Sequence, residues 1–187
     1  TLPEMKEFYN DGCKIIEEFL KRKSGYFPKK NTELLGIEVG LDFGLPNNMK
    51  FVGYMDVVLH NKNTGRVKII DIKTATMGWN KYQKADKNKT NQLLLYKQFF
   101  SKERDIPMDK IDVEYLILKR RLYENMDFPQ KRIQTFVPAS GKPSINKVLR
   151  RLQEFIEECY DENGDIITTH QYEKCMKSKK CILCRDL

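Results

Sequence analysis

The sequence predicts an α/β fold: a single domain over residues 1–187 with a central mixed β-sheet flanked by helices. Three observations predict it. Apolar residues recur at the three-four spacing of a core-facing helix over residues 144–160 (Ile145, Val148, Leu149, Leu152, Phe155, Ile156, Cys159). They alternate at the two-residue period of strands in residues 34–44 and 111–120. The patterns run helix, three strands, helix, strand, strand, helix, an order that mixes helices with one sheet. A chain of 187 residues is long enough to bury a real core.

In chain order, residues 3–23 read as a helix, with Pro3 in its first turn and Met5, Phe8, Tyr9, Ile16, Phe19 and Leu20 as an apolar stripe. After the break at 25–31, Leu35, Ile37, Val39, Leu41 and Phe43 alternate along the first strand. Pro46-Asn47-Asn48 is a turn signal. Residues 50–60 and 66–73 read as the next two strands, joined across Asn61–Gly65. A polar, lysine-rich loop fills 75–89, and residues 90–104 read as a helix with Leu93, Leu94, Tyr96 and Phe100 as its apolar surface. Val113, Tyr115 and Ile117 alternate along the fourth strand, and 132–137 reads as a fifth strand at an edge. Residues 165–187 read as an irregular tail that carries cysteines.

Composition narrows the function classes. A net charge of +8 and a pI near 9.1 favour a polyanionic partner. No apolar run approaches the roughly 18 residues of a membrane span, and no signal peptide is legible. Five cysteines, three of them among the last 13 residues, argue against a secreted disulfide framework. The expected location is therefore the cytoplasm, of a bacterium or a phage-infected host cell. The chain opens on Thr1 rather than Met, which suggests a trimmed N-terminus.

Gly53-Tyr54-Met55-Asp56 and Asp71-Ile72-Lys73 carry the chemistry. Residues two apart on a strand share a face, so Asp71 and Lys73 point together and Ile70 and Ile72 point away. A four-residue connection, 62–65, pairs Asn61 with Arg66 and sets Asp56 opposite Asp71; a five-residue connection would put Asp56 on the wrong face. The four-residue register is the expectation. Mg²⁺ or Mn²⁺ takes hard oxygen ligands and keeps waters, so Asp56, Asp71 and the Ile72 carbonyl suffice. Such an ion activates water and stabilises charge on a phosphodiester in transit, and Lys73 can orient the water or offset that charge.

These residues resemble the PD-(D/E)XK nuclease superfamily, with its restriction-endonuclease-like core over residues 33–120. Adding Gln92-Leu-Leu-Leu-Tyr96, the set is similar to the RecB-type and phage exonuclease branch, and to CRISPR-adaptation nucleases. Gln92 and Tyr96, four apart on a helix, share a face. The resemblance implies that Gln92 supports the metal or the scissile phosphate and that Tyr96 contacts DNA or braces the site. It also implies that Glu38 reaches the metal through water. Many members of that branch carry a metal-binding histidine on an early helix; here only His60 and His170 occur, and neither matches it. The implied activity is a DNA exonuclease of recombination, repair or phage DNA processing, working with a helicase or recombination partner. Two other readings stay open: a non-catalytic nucleic-acid-binding subunit, and a structure-specific endonuclease or junction resolvase.

Cys175, Cys181 and Cys184 form a C-x5-C-x2-C tail. Some nucleases of this type hold an iron–sulfur cluster with one early and three late cysteines, which would add Cys13, although the tail spacing here is reversed. Zinc and free thiols are the alternatives. Lys81, Lys84, Lys87 and Lys89 bracket Trp79 and Tyr82, a combination suited to phosphates and to stacking on the bases of single-stranded or frayed DNA. Lys119, Arg120 and Arg121 extend that basic path. No helix-turn-helix or zinc-finger pattern occurs, so little base readout is expected.

Overall fold

The computed structural model describes residues 1–169. Its sheet has five strands in the order β1-β2-β3-β4-β5: Thr32–Gly44, Lys50–Asn61, Arg66–Ala75, Ile111–Lys119 and Ile133–Phe136. All neighbouring pairs are antiparallel except β3 and β4, which run parallel. A parallel pair needs a long crossover. Here it contains the short helix α2 (Lys81–Ala85) and α3 (Lys87–Glu103). α1 (Leu2–Tyr26) and α4 (Lys142–Cys159) complete the fold. This is the α/β architecture with a mixed, helix-flanked sheet that the sequence predicts.

Each sheet face has its own core. On one face Val58, Val67, Ile69, Val113, Tyr115 and Ile117 pack with Leu93, Tyr96, Phe99 and Phe100 of α3. α4 docks on α3 through Ile145 and Val148 against Leu94. On the other face Val57, Leu59, Ile70, Leu116 and Ile133 meet Phe19, Tyr26 and Phe27 at the end of α1.

The stripe predicted for α1 is corrected by the structure. Met5, Phe8, Tyr9, Ile16 and Leu20 are all more than half exposed, and the buried positions of the helix are Asp11 and Ile15. Helical spacing finds an apolar stripe but not the surface that covers it. Phe8 instead lies under the Arg120 guanidinium, 4.3 Å from its ring centroid. α2 is also new: Asn80 accepts from the N–H groups of Tyr82 and Gln83 and nucleates a helical turn inside the predicted loop.

At the far end of β3 from the candidate site, Arg66 grips Asp112 of β4 with two bonds, Nε to Oδ2 at 2.8 Å and Nη2 to Oδ1 at 2.5 Å. That bond is the main reason the Asp112 carboxyl is held below its usual range. An acid with a depressed pKa adds stability above its unfolded pKa of about 3.9, and the gain is lost as pH falls through the folded value. Both side chains are substantially exposed, so Asp112→Asn should cost only about 0.5–1 kcal/mol at pH 7. Urea denaturation of both proteins from pH 7 to pH 2 checks this. The difference should shrink to nothing at the acid end; a constant difference would contradict the account.

Candidate active site

The hairpin register is the predicted one: Asn61 pairs with Arg66, and the ladder runs up to Val57–Ile70. There β2 and β3 part. Continued by one step, the ladder would pair Asp56 with Asp71. Instead the Asp56 side chain fills the gap, its Oδ2 accepting the Ile72 N–H at 2.5 Å. A carboxylate thus takes the place of a strand carbonyl. Along a strand, a residue's N–H and C=O leave on the same side. The Ile72 carbonyl therefore faces the same gap, where no β2 residue pairs with it.

The alternation of β2 slips at the same point. Met55 and Val58 both pack beneath α3, whereas Val57 packs on the opposite face. Strict alternation would put Met55 with Val57. The slip falls at Asp56. Across the β1–β2 pair, between the partners of Val57 and Met55, Glu38 sits in the left-handed region at φ 49°. The irregularity lets the Gly53 backbone pass under Tyr96, since a Cβ on Gly53 would lie 2.6 Å from Tyr96 Cε1. Gln92 Nε2 donates to Tyr96 Oη at 2.9 Å. The helical pair expected from the sequence is therefore formed, and its ring rests on the segment that delivers Asp56.

Asp71 is 1% exposed. Its Oδ2 lies 2.8 Å from Lys73 Nζ, an ion pair. That oxygen is buried, and a part-exposed ammonium is a weak match for a buried carboxylate, an arrangement suited to a further cation. Burial raises the Asp71 pKa; the Lys73 ammonium, by hydrogen bond and by charge, opposes the shift, and the Asp56 charge adds to it. Tyr115, Asp71's neighbour on β4, is fully buried and donates from its hydroxyl to the Lys89 carbonyl at 2.7 Å. Burial, with the Asp71 charge next, drives its phenol pKa upward, so it stays protonated. The sequence gives Tyr115 only as a core position, because alternation carries no signal for its hydroxyl.

The donor set fits a hard divalent cation: two carboxylates, one of them buried, and a carbonyl facing the gap. Among the described residues no three His, Cys, Asp or Glu side chains converge. Glu38 is exposed and does not join the two aspartates in such a group.

Other predicted positions separate in the structure. Trp79 is buried: it packs 5.0 Å from Tyr115 by ring centroids, and the Gln134 side chain bonds both its N–H and its carbonyl. Its face is not free to stack on a base, which corrects the expectation of an open aromatic loop. Tyr82 is exposed. Lys81, Lys87 and Lys89 are exposed and Lys84 is half-buried, all on α2 or the first turn of α3. Arg121 is paired with Glu7. Cys13 is a half-buried free thiol. His170, Cys175, Cys181 and Cys184, and with them the cluster reading, lie outside the described residues.

A mixed sheet whose central hairpin opens around two acids and a lysine defines an α/β protein with an acid-x-lysine strand. The chain belongs to the PD-(D/E)XK nuclease superfamily, whose family model matches residues 4–185. It is also similar to a solved structure titled "Crystal structure of SSO0001", at 18% identity and a TM-score of 0.41, over 75% of this chain and 58% of that one. The match thus spans less than two thirds of that protein. No curated protein matches the sequence. Among the described residues, no helix is long and apolar enough to cross a membrane.

Two variants test the construction of the site. Gly53→Ala forces a methyl group into the Tyr96 ring and should cost about 1–3 kcal/mol. Gly44→Ala, where a Cβ meets nothing within 4 Å, should stay within about 0.5 kcal/mol of the parent. Chemical denaturation of both reads the difference, and equal stabilities would refute the proposed packing. Asp71→Asn removes a buried charge, so in chelator at pH 7.5 it should raise Tm by about 2–4 °C, the shift expected for about 1 kcal/mol in a chain of this size. The same variant should lose the rise in Tm that Mn²⁺ gives the parent. A lower Tm in chelator would count against a site strained by its own charge.

Proposed function

We propose that this chain is a metal-dependent deoxyribonuclease that degrades DNA from an end, in recombination, repair or phage DNA processing. The observation that carries the metal-dependent reading is the buried Asp71 carboxylate, whose Oδ2 has the part-exposed Lys73 ammonium as its partner, across from Asp56. Asp56, Asp71 and the Ile72 carbonyl would hold Mg²⁺ or Mn²⁺. Bound there, the ion would activate water and offset charge on the phosphoryl oxygens. The end-directed reading rests on the likeness of the Gly53–Asp56, Asp71–Lys73 and Gln92–Tyr96 set to exonucleases.

The chain's own groups divide the remaining work. Lys73 is partly exposed, so its ammonium can leave Asp71 Oδ2 and turn to the scissile phosphate or to the attacking water. Asp56 holds the Ile72 backbone in place through its own oxygen, which fixes the carbonyl relative to Asp71. Gln92 donates to the Tyr96 oxygen, leaving the phenol proton available to a phosphate or a carboxylate. Lys81, Lys84, Lys87 and Lys89 would guide the strand. No carboxylate pairs with these four lysines among the ion pairs of the described residues.

The test is digestion of end-labelled linear and covalently closed circular DNA with Mn²⁺, Mg²⁺ or EDTA, with Lys73→Ala run alongside. Linear DNA should be degraded only with metal, circles should survive, and the variant should be slower by about 10²-fold or more. Cut circles would replace end-directed digestion with an endonuclease. Intact DNA in every lane, or full activity in the variant, would overturn the reading.

A further inference from the structure

A polar cleft of about 540 Å³ opens beside the candidate site, at the C-terminal ends of β3 and β4. It lies within the range of volumes that hold small ligands. Its lining includes Thr74, Trp79, Lys89, Lys119, Tyr123 and Gln134, and none of its lining side chains is acidic. Asp71, Lys73 and Ala75 lie opposite Tyr115, Ile117 and Lys119 in successive same-face steps. Lys119 is thus about 7 Å along the strands from the level of Lys73, from the rise per residue. Trp79 bridges the two regions, because it lines the cleft and packs on Tyr115, the neighbour of Asp71.

The cleft is built rather than incidental. Gly78, at φ 91°, has no side chain because a Cβ would lie 2.8 Å from Lys119 Cδ, so the glycine makes room for the lysine stem. The Gln134 amide is fixed by its bonds of 2.8 and 3.1 Å to the Trp79 backbone. Lys89 Nζ stands 5.7 Å from the Trp79 ring centroid. Neither Lys89 nor Lys119 has a carboxylate partner among the ion pairs of the described residues. The neighbouring arginines are committed elsewhere: Arg120 to Thr76 and Phe8, Arg121 to Glu7. Tyr123 is 60% exposed at the rim. Two unpaired cations in an acid-free cleft beside an exposed ring suit an anion that carries a flat group.

We infer that this cleft holds one unpaired nucleotide of the strand being cut, its phosphate between Lys89 and Lys119 and its base against Tyr123. The inference rests on the nuclease reading and adds a substrate form to it: the end is single-stranded or frayed, because a base can lie against Tyr123 with its phosphate between the two lysines only when it is free of its pairing partner. The Trp79 backbone is fixed beside the cleft, so its indole is a reporter of occupancy and not the stacking surface.

Trp79 is the sole tryptophan, so all indole emission comes from the wall of the cleft and the packing just behind it. The full chain in EDTA is titrated with thymidine 5′-monophosphate, a labelled single-stranded thymidine oligonucleotide and a blunt duplex, following emission and oligonucleotide anisotropy. The mononucleotide and the single strand should change emission saturably, and the duplex should not. Lys89→Gln combined with Lys119→Gln should weaken single-strand binding at least ten-fold and abolish the emission change. The double variant's Tm should match the parent's, which separates a lost contact from a lost fold. Single-strand binding without an emission change, or unaltered binding by the double variant, would overturn the inference even where Mn²⁺-dependent cleavage stands. An emission change that depends on both lysines would support the cleft even in a protein that cuts nothing, an outcome that would sink the nuclease reading alone.

Discussion

The divergence of β2 from β3 after Val57–Ile70 is the constraint on which the rest of the site depends. Up to that pair, the strands are held by ordinary ladder bonds. Beyond it, a side-chain carboxylate takes over one of those bonds, and a backbone carbonyl is left facing the space that opens. Two neighbouring features make the divergence possible. The alternation of β2 slips at Asp56, opposite a Glu38 in left-handed conformation. Gly53 then lets the strand pass beneath the Tyr96 ring. The Gln92–Tyr96 pair therefore rests on the backbone segment that carries Asp56.

The electrostatics of the site follow from depth. Asp71 sits on the α3 face of the sheet among Val67, Ile69, Tyr115 and Ile117, where a charge is costly without a partner. Lys73 is only a partial partner, because it is one-third exposed. A divalent cation would supply what the lysine does not, and would leave that ammonium free for substrate. Burial and the charges of Lys73 and Asp56 act together on Asp71, the buried member of the group.

The fold class and element order were legible in the sequence because strand alternation and the α4 stripe are strong, local signals. The Asn61–Arg66 register was legible too, since loop length fixes which face each strand presents. Burial was less so. The exposed stripe of α1 and the buried Trp79 both depend on which surface an element meets, which spacing does not encode. The slip at Asp56 was hidden for a related reason: Met55, Asp56 and Val57 read as plain alternation, and only the packing of Met55 with Val58 reveals it. Gly53 stood within the quoted motif, but its purpose appears only when the Tyr96 ring is seen above it. The cleft of Lys89 and Lys119 joins residues thirty apart in the chain, brought together by the parallel β3–β4 pair.

The most direct test of the central claim is anomalous diffraction from crystals of this chain soaked in Mn²⁺. The account predicts a peak about 2.0–2.2 Å from oxygens of Asp56, Asp71 and the Ile72 carbonyl, absent in Asp71→Asn. Well-ordered Asp56 and Asp71 with no peak between them at saturating Mn²⁺, or a peak coordinated by other residues, would contradict it.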